Sequence, residues 1–123
     1  MQHFDISEND LGPRNFNVLQ KIFKSNTKIE LINIADCKVD GPQIHLLCQS
    51  LKQNKFLRYF FLRNCKFEDQ GAAAIADLLA NNRTIYELEI FNCGITEKGG
   101  DEIKEALKNN FTIGKLSIGD NKL

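Results

Sequence analysis

The sequence predicts an α/β solenoid, in which short parallel strands alternate with helices. Three observations predict it. First, an apolar pattern, Leu57, Phe60, Leu62, Cys65 and Phe67, recurs without slip every 28 residues. It returns as Ile29, Ile32, Ile34, Cys37 and Val39, then as Ile85, Leu88, Ile90, Cys93 and Ile95, and then as Ile113, Leu116, Ile118, Asn121 and Leu123. Its first copy is Met1, Phe4, Ile6, Asn9 and Leu11. A period of this length marks a repeat array, in which each unit buries its apolar face only against its neighbours. Second, every copy but the last is followed by apolar residues at helical spacing. Third, strand alternates with helix, so neighbouring strands must be parallel and joined by right-handed crossovers. The repeats run 1–28, 29–56, 57–84 and 85–112, with a partial copy at 113–123, about four and a half turns in a single domain.

In order, residues 1–11 supply a strand and its turn. Gly12-Pro13 opens a helix, because proline is tolerated in a first turn, and Phe16, Leu19, Ile22 and Phe23 face the strands until Ser25-Asn26. The second helix starts near Asp40-Gly41-Pro42, with Asp40 as its cap, and buries Ile44, Leu47 and Leu51. The third strand lies around Tyr59–Leu62. Its helix opens on Glu68-Asp69, acids that suit a helix N-terminus, turns Ala72, Ile75, Leu78 and Leu79 inward, and closes at Asn81-Asn82. The fourth strand lies around Glu87–Ile90. Thr96 is the expected N-cap of the next helix, Ile103, Ala106 and Leu107 its inner face, and Asn109-Asn110 its end. The last copy is a strand without a helix. Neither end carries a polar cap, and solenoids ordinarily need one.

The chain carries 16 basic and 16 acidic residues, so no global charge draws it to nucleic acid or an anionic membrane. No apolar run approaches the roughly 20 residues of a membrane helix. Asp5, Glu8 and Asp10 argue against a secretory leader, and the expected location is cytoplasmic.

On these residues, with CGITEKGGDEIKEALKNN at 93–110 as the best match, the chain resembles the 28-residue, ribonuclease-inhibitor-like class of leucine-rich repeat proteins. The resemblance implies a curved, right-handed solenoid, with the parallel strands on the concave side and the helices on the convex side, and it implies a protein-binding module without naming a partner. It also implies that the repeat cysteine, Cys37, Cys65 or Cys93, sits inside the turn after the strand and bonds to backbone there. Asn9 and Asn121 hold that position in the end copies. A spacing of 28 residues is not that of metal ligands such as C-x₂-C. Cys48 lies outside this set and is expected at a helix flank, partly exposed.

Catalytic signals are absent from the sequence. His3 and His45 stand far apart, with no nucleophile and acid placed to join either, and no phosphate-binding glycine motif appears. Glu87 and Glu89 are paired but lie on one open strand face, with nothing apolar to raise a pKa. Gly71 and Gly99 share a repeat position and read as packing. The sequons at Asn82 and Asn110 read as structural. No cofactor and no metal is expected.

The concave face is the expected binding surface. Side chains alternate along a strand, and equivalent positions of neighbouring strands form columns roughly 4.8 Å apart. One column is His3, Leu31, Tyr59, Glu87 and Lys115, the next Asp5, Asn33, Phe61, Glu89 and Ser117, and the third Ser7, Ala35, Arg63, Phe91 and Gly119. The rim beyond is Glu8, Asp36, Asn64, Asn92 and Asp120. Leu31, Tyr59, Phe61, Arg63 and Phe91 form an exposed cluster of the types that anchor interfaces. Glu87 and Glu89 extend it, and six acids against two cations make the whole face acidic. A protein or peptide with a basic patch is the partner such a face fits. The competing reading is a structural unit that self-associates through its uncapped ends, or a piece of a larger repeat scaffold. A bacterial effector or a regulator of an enzyme falls within either reading.

Overall fold

The computed structural model describes residues 2–9, 12–25 and 28–123. Among them, five strands alternate with four helices: β1 (Gln2–Asp5), α1 (Gly12–Ser25), β2 (Ile29–Asn33), α2 (Gly41–Ser50), β3 (Tyr59–Phe61), α3 (Glu68–Asn81), β4 (Glu87–Glu89), α4 (Glu97–Leu107) and β5 (Lys115–Ser117). The strands make one parallel sheet in chain order, β1-β2-β3-β4-β5. Met1, Asp10, Leu11 and Asn26, which the sequence places in the first repeat, lie outside the described residues.

The repeat pattern is the core. Ile32, Phe60 and Leu88 point from the mid-strand positions into a layer closed by Ile44, Leu47, Ile75 and Leu79 of the helices, all fully buried. The turn cysteines lie in the same layer, and each donates back to the preceding repeat. Cys37 Sγ reaches the Ile6 carbonyl at 3.2 Å, Cys65 Sγ the Ile34 carbonyl at 3.1 Å, and Cys93 Sγ the Leu62 carbonyl at 3.2 Å. A thiol is small enough to stay in an apolar layer and still satisfy one carbonyl. At the C-terminal end Asn121 does more. Its amide donates to the Ile90 carbonyl at 3.0 Å, while its Oδ1 accepts from the N–H groups of Cys93 and Ile95.

A second column, Asn54, Asn82 and Asn110, is buried between helix and strand. Each Oδ1 accepts two backbone N–H groups of the turn that follows, at 2.6 and 2.7 Å for Asn54 and at 2.8 and 2.8 Å for Asn82. Asn54 and Asn110 also donate to carbonyls one repeat back, those of Ile29 and Leu79. The two sequon asparagines are therefore buried structural amides.

Helix starts follow local chemistry. Asp40 and Gln43 form a full capping box at α2. Thr96 is the N-cap residue of α4, as expected, but its own hydroxyl makes no capping bond. The Asp69 carboxylate, one repeat earlier, accepts from the Thr96 N–H at 2.8 Å, the Gly99 N–H at 3.2 Å and the Thr96 hydroxyl. The bond from the Thr96 hydroxyl, more than any other contact, holds the Asp69 carboxyl below the usual carboxylate range. Gly99 is glycine because a Cβ there would lie 2.4 Å from that carboxylate. α4 ends at Leu107, two residues short of the expected Asn109.

Candidate functional site: the strand face away from the helices

The sheet register produces the expected columns. Leu31, Tyr59, Glu87 and Lys115 are consecutive partners, as are Asn33, Phe61, Glu89 and Ser117. The ladder continues past the strand ends, where Asp36 N–H donates to the Arg63 carbonyl at 2.9 Å and Asn64 N–H to the Phe91 carbonyl at 3.1 Å. That continuation keeps Arg63 and Phe91 in line although both lie outside β3 and β4. All seven expected residues, Leu31, Tyr59, Phe61, Arg63, Glu87, Glu89 and Phe91, thus share one face.

The expectation of an exposed cluster needs correction. These side chains are half-buried against one another rather than open. The Tyr59 and Phe61 rings lie 6.4 Å apart at a tilt of 46°. Arg63 leans between Asp36, at 3.9 Å, and Glu89, at 4.0 Å. Such partly exposed pairs hold orientation more than they add stability. Ala35, placed in the third column, is fully buried. Asp5 is engaged locally. Its carboxylate accepts from the Ser7 N–H and hydroxyl, which lower its pKa, and from the Asn33 amide at 3.2 Å.

The rim has a backbone reason that the sequence reading missed. Glu8, Asp36, Asn64, Asn92 and Asp120 all have positive φ, between 53° and 65°. Asn and Asp tolerate this left-handed conformation better than other residues with a Cβ. Their side chains then link repeats. Asn64 Nδ2 donates to Asp36 at 2.7 Å, Asn92 Nδ2 to Asn64 at 2.8 Å, and Lys66 Nζ to Asn92 Oδ1 at 2.6 Å. The signal was visible as an Asp/Asn column at 28-residue spacing.

On the helix side, a cavity of about 290 Å³ between α2 and α3 is lined by His45, Cys48, Gln70 and Asp77, among others. Cys48 is not the partly exposed thiol expected from sequence; it is 2% exposed. Burial pushes it up to about 12, so it is a protonated thiol at neutral pH and no nucleophile. Burial likewise pushes Cys65 to about 12 and Cys93 to about 11. Among the described residues no group of three or more His, Cys, Asp or Glu side chains could hold a metal ion. No helix of these residues is long and apolar enough to cross a membrane.

Comparison with known proteins agrees with this geometry. A family model described as a leucine-rich repeat matches residues 53–76. Comparison with curated protein sequences gives no significant match. Among solved structures, one described as "Leiomodin-1 Actin-Binding Site 2 (ABS2)" superposes with a TM-score of 0.84 at 26% identity, over 96% of this chain and 70% of that one. The tropomodulin C-terminal domain of Caenorhabditis elegans superposes with a TM-score of 0.77 at 16% identity, over 87% of this chain and 65% of that one, and shows the fold alone. The 28-residue unit of this chain is a leucine-rich repeat of the ribonuclease-inhibitor-like class, in an array with the architecture of the leiomodin and tropomodulin repeat domains.

Proposed function

We propose that the chain is a single, non-enzymatic, cytoplasmic recognition domain that binds a protein on its concave strand face. The observation that carries this reading is the group Tyr59, Phe61 and Phe91, aligned on the sheet face away from the helices, where the core does not use them. These rings would anchor the partner, with Leu31 beside them, while Arg63, Glu87 and Glu89 set its orientation. The acidic surround favours a basic patch on the partner and disfavours nucleic acid and anionic membrane. The likeness to a leiomodin-1 region described as an actin-binding site makes an actin-type protein the first partner to test.

Binding of the wild-type chain and of a Phe61→Ala/Phe91→Ala variant to purified actin, monomeric and filamentous, and to a cytosolic extract tests the site. Each truncation should weaken binding by about 1–4 kcal/mol while the circular dichroism spectrum is unchanged. Equal affinity of the two proteins for whatever is retained would reject the concave site.

The self-associating reading keeps one observation in its favour. Phe111, just before the last strand, is 91% exposed, and Leu123 and Val18 are also open. Sedimentation of the chain across a concentration series separates the readings, since an assembly unit must grow with concentration.

A further inference from the structure

The edge of the array that carries the helix-to-strand turns has a composition unlike either face. Its columns run Lys55, Arg83, Phe111, then Phe56, Thr84, Thr112, then Arg58, Tyr86, Gly114. Three of the exposed large apolar residues, Phe56 at 47%, Tyr86 at 39% and Phe111, lie here, and all three are aromatic. The Arg58 guanidinium sits 5.9 Å over the Tyr86 ring, and the ring lies so near Gly114 that a Cβ there would come within 2.3 Å of it.

Between the turns of the second and third repeats lies a pocket of about 100 Å³. Lys52, Lys55 and Arg83 line it together with Asn81 and Thr84, and no carboxylate does. Lys52 is paired with Asp77 at 3.3 Å, which does not line the pocket, and Glu30, the acid of the third column, lies one repeat before Arg58, whose backbone N–H donates to the Glu30 carbonyl at 2.8 Å. The wall of the pocket is therefore cationic. Its frame is stiff. Asn54 and Asn82 fix both turns from beneath, and Arg83 Nη1 is held by the carbonyls of Leu79, Ala80 and Asn82. Lys52 is partly neutralised by Asp77, so Lys55 and Arg83 supply the charge that would draw an anion into the pocket.

We propose that this edge is a second binding surface, for an acidic segment of a partner protein. One Asp or Glu carboxylate enters the cationic pocket, and a neighbouring apolar side chain rests on Phe56 and Tyr86. The size of the pocket suits a single small anionic group. A polyphosphate chain would need cations repeated along its track, and the next step of these columns is Phe111 or Thr112 instead. Phe56, next in sequence to Lys55, and Tyr86, two residues after Thr84, add the hot-spot chemistry of protein interfaces to the same edge. This surface is separate from the concave face and does not depend on it.

The probe is a short fluorescein-labelled peptide of alternating glutamate and leucine, titrated against the full chain, with amide shifts of the isotope-labelled protein followed in parallel. The expected result is binding that weakens with added salt, shifts confined to the turns at 52–58, 81–86 and 111–114, and a loss of at least about tenfold in the exposed-site variant Lys55→Glu. Phe61→Ala/Phe91→Ala should bind the peptide as the wild type does, which separates this surface from the concave one. Absence of binding, shifts on the strand face or in the α2–α3 groove, or equal binding by Lys55→Glu would overturn the proposal. So would tighter binding of single-stranded RNA, or of phosphatidylserine vesicles, than of the peptide at this edge.

Discussion

Two of the asparagine columns of this array, at the same 28-residue spacing, do opposite work. Asn54, Asn82 and Asn110 are buried, and their amides satisfy the backbone of the helix-to-strand turn. Asn64 and Asn92 are half-exposed on the opposite turn, in left-handed backbone, and bond mainly to one another's side chains and to their charged neighbours Asp36 and Lys66. In the first column the side chain is needed, because removing it strands buried N–H groups. In the second the backbone conformation is needed, and the side chain is one of the few that accept it. Period alone cannot separate the two, because both recur once per turn.

The largest effect expected from this difference is at Asn82. Asn82→Ala leaves the Thr84 and Ile85 N–H groups without their acceptor and should cost about 2–4 kcal/mol, read as a lower urea midpoint. A smaller loss follows at Asp69, whose carboxylate joins two repeats by capping α4 from outside. Asp69→Ala should cost about 1 kcal/mol at neutral pH. Because the folded carboxyl lies below its ordinary value, its contribution is complete above the unfolded pKa of about 3.8 and is lost as pH falls through the folded value. The stability curves of wild type and variant should therefore converge in acid, and curves that stay parallel would remove Asp69 as the cap. The smallest effect is at the rim. Asn64→Gly keeps access to positive φ while losing two side-chain bonds, and should cost less than about 1 kcal/mol. A cost at Asn64 equal to that at Asn82 would break the comparison.

Much of this fold was legible before the structure. The repeat pattern located the strands, the core positions and the Asp40 cap, because each depends on a periodicity or on a residue acting within its own turn. The shared face of Leu31, Tyr59, Phe61, Arg63, Glu87, Glu89 and Phe91 followed from the same register. What escaped were interactions between turns. The Asp69 cap is 27 residues from Thr96, beyond any local helix-start signal. Cys48 looked like a flank residue because its counterparts are Gln20, Ala76 and Lys104, yet α3 packs over it and buries it. The half-burial of the concave cluster depends on how rings lean on neighbouring strands, which a column assignment does not give. The edge pocket escaped because Lys55 and Arg83 occupy one column while Lys52 belongs to another, so no single repeat position announces it.

The thiol bonds of the turns, and the amide bonds that cross between turns, span about one repeat, with separations of 25 to 31 residues. The strands, too, pair only with their immediate predecessors and successors. Mechanically, such a chain is a row of clasps in series. Drawn apart by its two ends, it would meet each clasp in turn and open one repeat at a time from either end, since parallel neighbours in chain order are peeled and not sheared. Extension under load would then proceed in steps of one repeat, and the loose end would recoil along the same path by docking each turn onto the folded one beside it.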